Sequence, residues 1–62
     1  MGTYDKIKSI AKEKNIPIIE LERKADVAIG SVGKWNKVSP TAKSLKAVAD
    51  VLEVTMDSLI GD

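Results

Sequence analysis

Residues 16–35, with the sequence IPIIELERKADVAIGSVGKW, indicate two helices separated by a very short turn. Leu21 and Ala25 have the i, i+4 spacing that gives one helix an apolar face. In the next helix, Val32 and Trp35 share a face at i, i+3. Two helices joined by so few residues cannot lie comfortably antiparallel, and they cross steeply instead. The stretch therefore predicts a helix-turn-helix arrangement.

Beyond this stretch, the apolar spacing predicts a single all-α domain of five helices over the 62 residues. The helices are expected at about residues 4–14, 17–25, 28–36, 42–52 and 56–60. The predicted N-caps of the first, fourth and fifth helices are Thr3, Thr41 and Thr55, because a threonine hydroxyl can accept from a free helical amide. The first two helices are predicted to end at Asn15 and Asp26, which tolerate turn conformations.

The helix predicted at 28–36 has a poor intrinsic propensity. Gly30 and Gly33 each cost about 1 kcal/mol relative to alanine, and Ala28 cannot cap a helix. Tertiary contacts must therefore hold this helix in place. Trp35 is expected to supply one of them as a core residue.

The composition excludes several classes of function. The chain has no cysteine and no histidine, so we expect no disulfide, no metal site, no cofactor and no histidine-dependent catalysis. The run GSVGK at 30–34 is not a phosphate-binding loop, because Ala28 and Trp35 stand where that motif needs Gly and Ser or Thr. Glu20 and Lys24 fit a surface ion pair at i, i+4. We therefore expect neither an enzyme nor a small-molecule substrate.

Charge is distributed unevenly, although the net charge is only +1. Residues 27–49 contain no acidic residue and four lysines, whereas residues 50–62 contain four acidic residues and no basic one. Two solvated faces of opposite sign could arise by chance. The sharper interpretation is a basic side that meets nucleic acid and an acidic far side.

The chain resembles the Cro and lambda-repressor-like family over 16–35, Ser39-Pro40-Thr41, the helix at 45–52 and the closing residues 54–60. The resemblance implies a five-helix DNA-binding domain of a phage or bacterial transcriptional regulator. It also implies a cytoplasmic protein that binds double-stranded DNA, commonly as a homodimer. No apolar run approaches the 18 residues of a membrane span and no signal segment follows Met1, so no membrane association is expected.

The chain departs from the family at several positions. Ile18 stands where members often have a glutamine that contacts phosphate, and Asp26 stands at the glycine of the tight turn. The recognition helix opens with Ala28 instead of serine or threonine. Ala11 and Asn36 replace a buried arginine and its glutamate partner. Because losing both partners avoids a lone buried charge, this replacement leaves the expected fold unchanged.

The resemblance implies that helix 28–36 enters the major groove. The candidate base-contacting residues are Ile29, Gly30, Gly33 and Lys34. The candidate phosphate-contacting residues are Ser31, Lys37, Ser39, Thr41 and Lys43. These candidates include no Arg, Asn or Gln, the side chains that bond a base through two hydrogen bonds, so we expect few direct base contacts. A lysine can still donate to guanine, and an isoleucine can contact a thymine methyl. The plainer alternative is a weak helix followed by a solvated loop.

Four branched apolar residues are expected on or beside the same surface, namely Ile18, Ile19, Ile29 and Val38. Exposed apolar clusters usually mark an interface. The alternative function is therefore a protein-interaction module on the same fold, whose isoleucines anchor in a groove of a protein partner. One or two of the four could instead belong to the core. Dimerisation through the last helix, using Met56 or Ile60, is expected only by analogy with the family.

Overall fold

The computed structural model describes residues 2–60, which form three α-helices and two short 3₁₀ turns. Helix α1 is Thr3–Glu13, α2 is Ile18–Ala25 and α3 is Ala42–Leu52. The 3₁₀ turns are Val32–Lys34 and Met56–Ser58. The described chain contains no strand, so the domain is all-helical as the sequence predicts.

One apolar core joins all five elements. Its buried members are Ile7, Ala11, Leu21, Ala25, Val32, Trp35, Leu45, Val48, Ala49, Leu52 and Leu59. Helix α2 packs mainly against α3. The apolar residues of α3 follow the predicted i, i+3, i+4, i+7 spacing, and Trp35 is buried in the core as expected.

All three α-helices end in the same way, with a left-handed residue that is not glycine. Asn15, Asp26 and Glu53 each have φ 59°. The next residue then donates a backbone hydrogen bond back across the last turn, as from Val27 to Glu22 at 3.0 Å. The predicted stops at Asn15 and Asp26 are confirmed.

The helix starts agree with the prediction at two of three threonines. Thr41 Oγ1 accepts from Ser44 N at 3.1 Å, and Thr55 Oγ1 accepts from Ser58 N at 3.3 Å. The prediction for Thr3 is wrong, because Thr3 is already helical and Gly2 is the N-cap residue.

The cap of α1 comes instead from a residue far along the chain. Asn36 Oδ1 accepts from Tyr4 N at 3.0 Å and from Asp5 N at 3.3 Å. An added Cβ at Gly2 would collide with the Asn36 side chain, which explains why glycine suits this position.

The predicted five-helix bundle is not observed, because two of its helices are shorter than expected. Residues 28–36 contain only the 3₁₀ turn Val32–Lys34, and residues 56–60 contain only Met56–Ser58. Gly30 has φ +90°, which no right-handed helix contains, so a helix cannot run from 28. None of the helices within residues 2–60 has the length and apolar character that crossing a bilayer requires.

Candidate nucleic-acid interface

The segment that follows α2 is a chain of tight turns with one inner and one outer side. Backbone bonds of the i→i+3 type join Val32 to Trp35 and Lys34 to Lys37, both at 3.0 Å. In a 3₁₀ turn the side chains at i and i+3 eclipse each other. Val32 and Trp35 therefore both enter the core, while Lys34 and Lys37 both remain exposed on the outside.

The start of this segment is held by Glu22, which sequence analysis did not identify as functional. Glu22 is 2% exposed and is the one buried charged residue in the part of the chain that the structure describes. Its Oε2 accepts from Gly30 N at 3.0 Å and from Val32 N at 3.1 Å.

A helical pattern could have revealed Glu22. The inward stripe of α2 is Ile18, Leu21, Glu22 and Ala25, which is the i, i+3, i+4, i+7 spacing of a buried face. A carboxylate in the third place of such a stripe needs buried hydrogen-bond donors. The two backbone amides of the next segment are those donors.

The four candidate base-contacting residues are all exposed. Ile29 is 57% exposed, and Gly30, Gly33 and Lys34 are also exposed. An added Cβ at Gly30 or Gly33 would meet nothing within 4 Å, so the surface in front of both glycines is open. All four candidates are therefore exposed and close together in the sequence.

The candidate phosphate-contacting residues fall into two groups. Lys37, Ser39 and Lys43 are exposed. The hydroxyls of the other two have partners within the chain. Ser31 Oγ donates to Ala28 O at 2.6 Å, and Thr41 caps α3. The lysines are therefore the stronger phosphate candidates.

Few carboxylates neutralise the exposed lysines of this region. Within residues 2–60, Lys34, Lys37 and Lys43 have no carboxylate within 4.0 Å, whereas Lys46 pairs with Asp50 at 3.4 Å. Asp26 and Lys43 both line an open groove of about 280 Å³ between the end of α2 and α3, but they form no ion pair within 4.0 Å. Lys34, Lys37 and Lys43 therefore carry positive charges that no carboxylate pairs with among residues 2–60.

The apolar surface predicted from the sequence is smaller than expected. Ile19, Ile29 and Val38 are exposed by 48%, 57% and 59%, respectively. Ile18 is half-buried and packs against the core, because it begins the inward stripe of α2. The prediction that Ile18 belongs to an exposed patch is therefore wrong.

The predicted dimer contacts also differ from each other in exposure. Ile60 is 48% exposed, and its carbonyl accepts from Lys6 Nζ at 2.7 Å. Met56 is half-buried and packs against the core.

No group of three or more possible metal-ligating residues occurs among the residues that the structure describes.

No family model and no curated protein matches this chain. The resemblance to the Cro and lambda-repressor-like family thus rests on this chain's own residues at 16–35, 39–41, 45–52 and 54–60.

Proposed function

We propose that this domain is a sequence-specific DNA-binding transcriptional regulator of the phage-repressor type, with segment 28–36 in the major groove. The observation that carries the proposal is the outer side of this segment. It is exposed and bears Lys34, Lys37 follows it directly, and neither lysine has a carboxylate partner among residues 2–60, while Val32 and Trp35 bury its inner side in the core. An exposed cationic surface of this kind suits the electronegative groove of DNA.

The proposed roles follow from side-chain chemistry. Lys34 donates to guanine O6 and N7, and Ile29 contacts the C5 methyl of thymine. Lys37 and Lys43 neutralise phosphates, which contributes affinity and salt dependence without sequence choice. Gly33, which has open space in front of it, allows the backbone to approach the base edges.

In this proposal a short 3₁₀ turn takes the place of the recognition helix that the family resemblance implies. The reading element is a 3₁₀ turn with flanking turns, so it presents few side chains to the groove. Specificity then requires two copies, and we propose a homodimer whose two segments lie about 34 Å apart on an inverted repeat.

The test is selection from a pool of randomised duplexes at low salt, followed by sequencing of the bound fraction. The proposal expects an enriched motif, with the two half-sites one helical turn apart. A matched pair of variants identifies the surface: Lys34→Ala should relax the motif, whereas Lys8→Ala, on the exposed side of α1, should not. A folded wild-type protein that enriches no motif would refute the proposal.

A second candidate function is a protein-interaction module on the same surface. The exposed Ile19, Ile29 and Val38 favour it, since branched apolar side chains make poor phosphate contacts. Replacing Ile19 and Ile29 by serine should abolish binding of a protein partner and leave the melting temperature nearly unchanged. In the DNA-binding model, Ile29→Ser should remove a thymine preference and Ile19→Ser should have no effect on the selected motif.

A further inference from the structure

Glu22 accepts hydrogen bonds from both sides of the turn that follows α2. Its backbone carbonyl accepts from Val27 N at 3.0 Å, which closes the end of α2. Its carboxylate accepts from Gly30 N and Val32 N, which fixes the start of the next segment. One residue therefore sets the geometry between α2 and the surface that carries Ile29 and Lys34.

The segment has no other side-chain cap in its first turn. Ser31 precedes the 3₁₀ turn without capping it, because its hydroxyl is bonded to Ala28 O. Gly30 has φ +90°, a conformation that residues with a side chain rarely adopt. In this conformation the Gly30 N–H donates a hydrogen bond to the Glu22 carboxylate. Hydrogen bonds to an ionised acceptor are about twice as strong as neutral ones.

We propose that Glu22 is a positioning residue for DNA recognition: it holds the base-contacting segment against α2 and does not itself contact DNA. Burial to 2% exposure keeps the carboxylate away from any ligand on the surface. This inference rests on the proposed DNA-binding function, and it assigns the specificity of that site to a residue behind it.

The proposal predicts an effect opposite in sign to simple electrostatics. A carboxylate close to DNA repels phosphate, so its removal should tighten binding if charge alone mattered. A positioning role requires the reverse, because loss of the two hydrogen bonds frees the segment. The sign of the change therefore separates the two explanations.

The experiment compares Glu22→Gln and Glu22→Met with Glu20→Gln and Glu20→Met. Glu20 lies on the same helix with a side chain 52% exposed, so its variants make the same charge change without touching the segment. Affinity is measured for the selected duplex and for a random duplex of equal length. Far-UV circular dichroism and Trp35 fluorescence define the temperatures at which each variant is folded.

We expect Glu22→Met to bind the selected duplex roughly tenfold or more weakly than the wild type, as loss of charge-assisted hydrogen bonds implies. Its binding to random duplex should change little. The affinity of Glu22→Gln for the selected duplex should lie between those of the wild type and Glu22→Met, since an amide oxygen still accepts hydrogen bonds. Both Glu20 variants should bind the selected duplex as tightly as the wild type or more tightly.

Amide hydrogen exchange at Gly30 and Val32 provides a readout that does not involve DNA. Exchange should be faster in Glu22→Met than in Glu20→Met while both are folded. If Glu22→Met does not fold, the comparison of Glu22→Gln with Glu20→Gln decides instead.

Selected-duplex affinity that rises equally in the Glu22 and Glu20 variants would overturn the proposal, as would unchanged exchange at Gly30 and Val32. A wild-type protein that selects no duplex would instead refute the proposed function. The exchange measurement would then still show whether Glu22 holds the segment.

Discussion

The contact between Gly2 and Asn36 makes a sharp prediction about stability. In Gly2→Ala, the added Cβ would overlap the Asn36 amide and lie 2.9 Å from Asn36 Cβ, so the side chain must rotate away. Rotation breaks the two bonds from Tyr4 N and Asp5 N that cap α1. Losing an N-cap costs about 1 kcal/mol and up to about 2.

An opposing effect reduces the expected loss. Gly2 has φ −82° and ψ 165°, which alanine adopts readily, so the substitution also gains about 0.4–1 kcal/mol by restricting the unfolded chain. The net destabilisation should be about 0.5–1 kcal/mol. For a domain of this size, that corresponds to a fall in melting temperature of roughly 2–8 °C.

The assay is thermal and urea unfolding of a double-mutant cycle with Gly2→Ala and Asn36→Ala. Asn36→Ala alone should cost about 1 kcal/mol as a lost cap. In that background Gly2→Ala should become neutral or stabilising, because nothing remains to collide with. Gly33→Ala is the matched control: its Cβ meets nothing within 4 Å, so it should not lower stability. Gly2→Ala with the same effect in both backgrounds would refute the reasoning.

Three further predictions concern a helix end, the exposed lysines and the two faces of α2. Glu53→Gly should raise the free energy of unfolding by about 0.5–1 kcal/mol, because Glu53 has φ 59°; lower stability in urea unfolding would contradict this. Lys37→Ala should weaken binding to all duplexes and flatten the log–log salt slope by about 0.9, whereas Lys34→Ala should relax sequence preference; equal effects on selected and random duplexes in both variants would contradict these roles. Ile18→Ser should lower the melting temperature much more than Ile19→Ser, because only Ile18 packs against the core; equal losses in thermal scans would show that both faces are buried.

The features that the sequence predicted correctly are those that act within one helical turn. Thr41 caps the amide of Ser44 three residues later, and Asp26 adopts the left-handed conformation immediately after α2. The buried face of α3 follows from the spacing of its own apolar residues. Such features need no knowledge of the rest of the fold, because their partners are close in the sequence.

The features that the sequence did not predict have partners farther away. Asn36 caps α1 across more than 30 residues, and no local sequence pattern predicts a hydrogen bond between residues so far apart. Glu22 reaches only as far as Gly30 and Val32, but its partners there are backbone amides, which the residue types in the sequence do not reveal. The inward stripe that includes Glu22 also contains Ile18, for which an exposed position was expected.

The recognition segment is attached to the rest of the fold at both of its ends. Glu22 holds its start, and Asn36 ties its end to α1, so its backbone does not depend on the helix propensity of its exposed positions. Gly33 and Lys34 are both exposed, and an added Cβ at Gly33 would meet nothing within 4 Å. Substitutions there should change what the surface binds while costing little stability, whereas loss of the hydrogen bonds of Glu22 or Asn36 should free one end of the segment and weaken sequence-specific binding. The residues proposed to contact bases are therefore distinct from the residues that hold the segment in place.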